Sequence, residues 1–262
     1  MSFESDPAAI RTVAHALADA ARTATLGHFR KPLTVESKQR AFDPVTVADR
    51  EAEAAMRAVL DRLRPDDAVL GEEGGARPGT TGLTWVLDPI DGTRGYIAGS
   101  PTWGVLIALS DGNGPIHGLI DQPFTGERFE GGADGAFWTR GQERREMAVR
   151  DTTALAVATI LTTFPEVGTS EEGAAFRRVA RDCRLTRYGM DCYGYALLAL
   201  GHVDLVVEAG LQPYDIAAPL AVVRAAGGIV TDWQGGPAHQ GGQVVAAATG
   251  ALHAAALERL NG

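Results

Sequence analysis

A layered α/β (α+β) fold is predicted by three features of the sequence. Two amphipathic helical stretches open the chain, short strands separated by glycine-rich turns fill residues 83–130, and helix and strand signals alternate beyond about residue 150. The first helix is read over residues 8–30, where Ile10, Val13, Ala14, Leu17, Ala21 and Ala24 recur at helical spacing. The second is read over residues 47–63: Thr46-Val47-Ala48-Asp49 has the spacing of a capping box, and Ala52, Met56, Val59, Leu60 and Leu63 continue one face. Residues 69–72 form a short strand that ends in Glu72, and strands follow at 84–87, 104–110, 116–122 and 128–130. A change of composition at residues 149–153 predicts two halves, 1–150 and 151–262. The second half reads as helix 171–182, strand 184–187, helix 191–200, strand 203–208, a helix opened by Asp215 and a strand at 229–231.

With 262 residues, 45% hydrophobic and 22% charged, the chain has the composition of an ordinary folded protein with ample core. Its net charge of −9, with no basic cluster large enough to offset it, argues against a nucleic-acid partner. The six histidines are scattered, and Cys183 and Cys192 lack zinc-type spacing. No apolar run is long enough for a membrane span, and the acidic N-terminus does not resemble a signal peptide. The expectation is therefore a cytoplasmic protein with reduced thiols.

The strongest chemical signal is Trp85-Val86-Leu87-Asp88-Pro89-Ile90-Asp91-Gly92-Thr93, an apolar strand ending in two carboxylates three residues apart and then a Gly-Thr turn. Pro89 stiffens the turn and Gly92 admits a ligand close to the backbone. Fixed carboxylates this close repel one another unless a cation lies between them, and oxygen-only ligands suit Mg²⁺ or Mn²⁺, while the following amides suit a phosphate. The same residues also suit two ordinary turns, Asp-Pro and Asp-Gly. Glu72 and Glu73 in a glycine loop, Asp49 as a capping acid and Asp215 as an N-cap each have a structural reading too. Together these acids can supply two adjacent metal sites for phosphate-ester chemistry. No G-x-S-x-G elbow and no G-x-x-x-x-G-K-[ST] loop is present. A phosphoaspartyl phosphatase needs one residue between its two aspartates, whereas Pro89 and Ile90 make the gap two.

Asp43-Pro44-Val45-Thr46-Val47-Ala48-Asp49, Gly71-Glu72-Glu73, the Asp88 to Thr93 block and Pro213-Tyr214-Asp215-Ile216-Ala217-Ala218 resemble, in order, the four signature blocks of the inositol monophosphatase superfamily. The resemblance implies an α/β/α/β/α sandwich and a Mg²⁺-activated, commonly lithium-inhibited phosphatase acting as a homodimer on a small-molecule phosphate monoester. It further implies that Glu72, Asp88, Asp91, Asp215 and the Ile90 carbonyl hold metal, that Asp49 joins a further metal or orients water, that Thr93 with Glu72 activates the attacking water, and that Lys38 lies near the phosphate. Gly92 and Thr93 offer it their amides.

Arg94 after Thr93, the block Gly118-Leu119-Ile120-Asp121-Gln122-Pro123 and the block Arg187-Tyr188-Gly189-Met190-Asp191-Cys192-Tyr193-Gly194-Tyr195-Ala196 resemble the histidinol-phosphate phosphatase branch. That branch implies a substrate side formed by Arg187, Asp191 and Glu208, two of them acids able to receive the amine and imidazole of L-histidinol phosphate, a histidine-biosynthesis substrate. Asp191 also suits a helix N-cap and Glu208 a surface strand end. Gly95 and Tyr214 depart from the family pattern in the pocket wall. Inositol, fructose or nucleotide phosphates remain alternative substrates, and a non-catalytic phosphate-binding module is the alternative of another class.

Overall fold

The computed structural model describes residues 6–32, 35–37, 44–164, 166 and 168–262. In chain order the elements are α1 (Pro7–His28), β1 (Val35–Ser37), β2 (Pro44–Thr46), α2 (Val47–Leu63), β3 (Ala68–Gly71), β4 (Gly75–Arg77), β5 (Thr84–Asp91), α3 (Thr93–Ile97), β6 (Gly104–Ser110), β7 (Pro115–Gln122), β8 (Glu127–Gly132), β9 (Gly135–Arg140), β10 (Glu143–Glu146), β11 (Thr159–Thr162), α4 (Ser170–Asp182), β12 (Leu185–Tyr188), α5 (Asp191–Ala199), β13 (Leu205–Leu211), α6 (Pro213–Ala225), β14 (Ile229–Thr231), β15 (Gly242–Ala247) and α7 (Gly250–Asn261).

An eight-stranded sheet runs in the order β10-β9-β8-β7-β6-β5-β3-β4, antiparallel except for the β3–β5 pair. A five-stranded sheet runs β12-β11-β13-β15-β14, with parallel pairing of β11 to β12 and to β13. Strand alternation puts successive side chains of the large sheet into different cores. Trp85, Leu87, Val105 and Ile107 pack with α1 and α2, while Val86, Leu106 and Ala108 face α5 and α6. The central core continues to the second sheet through Leu161, Val206 and Val244. On that sheet's far face Phe176, Val179, Leu252 and Ala256 of α4 and α7 close a third core. The layers are thus α1/α2, sheet, α5/α6, sheet, α4/α7, as the α/β/α/β/α expectation requires. No helix among the described residues is long and apolar enough to cross a membrane.

Close packing of α6 on the large sheet depends on two glycines. Gly118 and Gly131 are direct partners on β7 and β8. A methyl group at Gly118 would stand 2.4 Å from the Ala218 carbonyl oxygen, and one at Gly131 would stand 2.6 Å from Val222 Cα. On the opposite face α1 is fastened by Arg22, which donates to both oxygens of the fully buried Asp121 at 2.8 and 2.7 Å. Tyr96 of α3 donates to the Thr25 carbonyl at 2.6 Å and packs edge-on against Trp103, so the short helix following the Asp88–Thr93 turn is anchored to α1.

The predicted elements are present with shifts of a few residues at their ends, and β1, β2, β4, α3, β9, β10, β11, β15 and α7 were not predicted. Strand β11 is four residues long and buried throughout, and α7 buries only Leu252, Ala256 and Leu260, so each offers too few apolar positions for a strong period. Leu63, expected on the buried face of α2, is exposed because that helix ends at it. Asp215 does not cap α6 as an N-cap. Gln212 holds that place, and Asp215, three residues on, accepts the Gln212 N–H at 2.7 Å.

Candidate active site

Strand β5 runs fully buried from Trp85 to Ile90 and breaks its pairing with β6 between Asp88 and Asp91. The break is shaped locally. Asp88 Oδ1 accepts the Ile90 N–H at 3.0 Å, Thr93 Oγ1 donates to the Ile90 carbonyl at 3.1 Å, and Gly92 takes φ +84° before α3 begins. A methyl group at Gly92 would stand 2.9 Å from Asp191 Cγ, so both its backbone angle and its neighbour demand glycine.

Asp91 Oδ2 accepts the Cys192 N–H at 2.6 Å, which fixes the start of α5 against the end of β5. From α6, Asp215 completes a triad: carboxylate oxygens of Asp88, Asp91 and Asp215 lie within 4.8 Å of one another. Burial raises the carboxyl pKa of Asp88 well above the ordinary range, reinforced by Glu72, Asp91, Asp215 and Asp49. Burial raises Asp91 likewise, with Asp191 and Asp215 adding repulsion and the Cys192 N–H opposing. An all-oxygen cluster of mutually repelling acids, one buried and two half-buried, fits a hard divalent cation. Asp49, 1% exposed, accepts the N–H and hydroxyl of Thr46 at 2.8 and 2.6 Å. Burial raises its pKa against those bonds, and Glu73 adds to the rise.

A cavity of about 340 Å³ opens over the triad, lined by Glu72, Asp91, Gly92, Thr93, Asp191, Glu208 and Asp215 among others. On its far side Asp191 adopts φ +46°, rare for a residue with a side chain, as the first residue of α5 with Met190 as N-cap. It therefore does not serve as the N-cap. Burial raises its pKa to about 6 although Arg94 pulls the other way. Glu208 accepts Thr163 N–H at 2.7 Å, Thr163 Oγ1 at 2.9 Å and Thr162 Oγ1 at 3.1 Å. It is 6% exposed, and burial carries its pKa to about 7 against those bonds, so it is no surface acid. The Arg94 guanidinium lies 4.7 Å from the Phe164 ring centre at the rim, and Tyr214 forms part of the wall.

Of the predicted residues, Glu72, Asp91, Gly92, Thr93, Asp191, Glu208 and Asp215 line one cavity, with Asp88 and Ile90 buried beneath it. Arg187 is exposed on β12, the edge strand of the second sheet, and is not among the cavity-lining residues. Lys38 and Asp43 lie outside the described residues. Sequence reasoning missed Thr162 and Thr163, which hold Glu208, because β11 was not predicted. It also missed Glu53, whose signal was an acid four residues after Asp49 on the apolar stripe of α2.

A family profile described as the inositol monophosphatase family matches residues 6–261. The chain is 38% identical over 258 residues to a histidinol-phosphatase of Streptomyces coelicolor, covering 95% of this chain and 96% of that one. It is 42% identical over 225 residues to the chloroplastic bifunctional phosphatase IMPL2 of Arabidopsis thaliana. That match covers 85% of this chain and 64% of the plant protein. An inositol-1-monophosphatase of Mycobacterium leprae is 33% identical, covering 87% of this chain and 82% of that one. Among solved structures, an inositol monophosphatase from Zymomonas mobilis superposes with a TM-score of 0.86 at 42% identity, covering 99% of both chains.

Proposed function

Given that the chain belongs to the inositol monophosphatase family and is a phosphatase, we propose that it is a Mg²⁺-dependent phosphomonoesterase that hydrolyses L-histidinol phosphate to L-histidinol and phosphate, in histidine biosynthesis. The observation that carries the substrate assignment is the pair Asp191 and Glu208. Asp191, half-buried, and the buried Glu208 face the cavity beside the Asp88–Asp91–Asp215 triad, and a cationic substrate holds such acids in their ionised form. The similarity to a histidinol-phosphatase over almost the whole of both chains supports the same reading.

Glu72, Asp88, Asp91, Asp215 and the Ile90 carbonyl would hold the metal, with Asp49 available to a further ion. When bound, Mg²⁺ polarises phosphate oxygens and lowers the pKa of a coordinated water. The Gly92 and Thr93 amides would meet the phosphate charge that grows in the transition state. Thr93 gives its own proton to the Ile90 carbonyl, so its oxygen lone pairs are left to accept from a water, and Glu72 would take the proton that the water loses on attack. The P–O bond to the alcohol would break as the new P–O bond forms, the leaving L-histidinol oxygen taking a proton from solvent and the proton on Glu72 returning to solvent.

Phosphate release from L-histidinol phosphate and from myo-inositol 1-phosphate, each with Mg²⁺ and with EDTA, tests the assignment. The expected result is Mg²⁺-dependent release with kcat/KM at least about tenfold higher for the cationic ester, equivalent to ~1.4 kcal/mol. Preference for the inositol ester would overturn the reading of Asp191 and Glu208. EDTA-insensitive release would overturn the metal assignment.

We also propose a homodimer. Leu185 and Tyr188 lie exposed on β12, whose outer edge pairs with no strand among the described residues, and Phe164 is exposed at the cavity rim. Solution scattering should return twice the chain mass of 27.5 kDa. A value equal to the chain mass would refute it.

A further inference from the structure

We propose that Glu53 is a positioning residue for Glu72, holding the β3–β4 turn in the shape that presents that carboxylate to the cavity. The inference rests on the assignment of Glu72 as a metal ligand. Asp49, Glu53 and Arg57 follow at four-residue steps on α2 and so share one helix face. Asp49 belongs to the acidic site and Arg57 is partly exposed. Between them Glu53, 2% exposed, turns its carboxylate onto backbone rather than into the cavity.

Glu53 Oε2 accepts the Glu73 N–H at 2.7 Å and Oε1 accepts the Gly74 N–H at 2.9 Å, so the two amides that follow Glu72 are tied to one carboxylate. Arg57 Nε donates to Glu53 Oε1 at 2.7 Å and its Nη2 to the Gly75 carbonyl at 2.6 Å, which neutralises the buried charge and fixes the exit of the turn. The Glu72 N–H donates to the Leu87 carbonyl at 3.2 Å and fixes the entry. The glycines of Gly71-Glu72-Glu73-Gly74 follow from this arrangement. A methyl group at Gly71 would stand 2.3 Å from Glu53 Oε1, and one at Gly74 2.7 Å from the same atom. The motif keeps its glycines because a carboxylate occupies the space their side chains would fill. A glutamine at 53 can offer an acceptor to only one of the two amides and sets its own NH₂ against the other.

The test compares Glu53→Gln, Gly71→Ala and Glu72→Gln with the parent protein, measuring Mn²⁺ affinity by titration of the metal-free protein, the Mg²⁺ dependence of phosphate release, and the metal-free melting temperature. Gly71→Ala leaves Glu53 in place chemically but pushes it off the turn, so it should reproduce the effect of Glu53→Gln. Both are expected to weaken Mn²⁺ binding by about 10–100-fold, the usual effect of losing a group that orients a ligand. Both should raise the Mg²⁺ concentration for half-maximal activity similarly, with kcat at saturating Mg²⁺ lowered much less. Unchanged Mn²⁺ affinity in both, with or without a lower melting temperature, would show Glu53 to be structural and overturn the proposal, provided Glu72→Gln weakens binding. Unchanged affinity in Glu72→Gln would instead overturn the assignment of Glu72, and the proposal with it.

Discussion

Replacing Asp91 with asparagine is expected to lower phosphate release by at least ~10³-fold, about 4 kcal/mol of transition-state stabilisation, while the metal-free protein melts at the same temperature or higher. The two effects share one cause. Asp91 lies within 4.8 Å of Asp88 and Asp215, and burial with the repulsion of Asp191 and Asp215 raises its pKa well above the ordinary range. Without a cation the ionised cluster works against the fold, so a neutral isostere relieves it. Asparagine can still turn its carbonyl oxygen to the Cys192 N–H, so the link between β5 and α5 survives. With Mg²⁺ the order reverses, since the parent gains stability from bound metal and the variant gains less. Melting curves with Mg²⁺ and with EDTA, alongside the release assay, check both halves. Turnover retained at saturating Mg²⁺ would sink the metal assignment, and a large loss of metal-free stability would show that the Asp91 charge supports the fold.

The acids of this site were legible because their signals are local. A buried strand, a stiff Asp-Pro turn and a Gly-Thr step stand within nine residues, and Thr46 and Asp49 fall at capping-box spacing. Asp191 was legible through the block that carries it and Glu208 through its place seven residues before Asp215, but the reasons for their places lie far away in sequence. Asp191 sits against Gly92, and Glu208 is held by Thr162 and Thr163 from a strand with no periodic signal. Arg187 was read with Asp191 in one block resembling the branch; between them a strand ends and the chain turns left-handed, leaving Arg187 at a sheet edge. Glu53 left the trace of an acid on the apolar stripe of α2, with Arg57 four residues on, but its task was hidden because the groups it holds are backbone amides twenty residues away. Asp121 and Gln122 of the Gly118 to Pro123 block also serve groups distant in sequence. Their partners are Arg22, Arg128 and the Trp103 carbonyl, so their work is to secure α1 and a loop.

Replacing Gly131 with alanine is expected to cost about 1–3 kcal/mol, a fall of roughly 3–10 °C in melting temperature, and to weaken metal binding although residue 131 is not among those lining the cavity. The added methyl would meet Val222 Cα at 2.6 Å and the Ala221 carbonyl oxygen at 2.9 Å. These are helix backbone atoms, which cannot rotate aside, so α6 itself has to lift, and α6 carries Asp215 at its N-terminal turn. Gly118→Ala should act alike, since its methyl would stand 2.4 Å from the Ala218 carbonyl oxygen. Because the two glycines face each other across β7 and β8 and press on one helix, the first substitution already opens the gap that the second needs. The double variant should therefore lose clearly less than the sum of the singles. Gly27→Ala is the contrasting case, a helical glycine with nothing within 4 Å of its added methyl, and it should stabilise by about 0.5–1 kcal/mol. Additive losses at 118 and 131, or a metal affinity unchanged by either, would show that the sheet yields rather than the helix, and that Asp215 keeps its place independently of how α6 is seated.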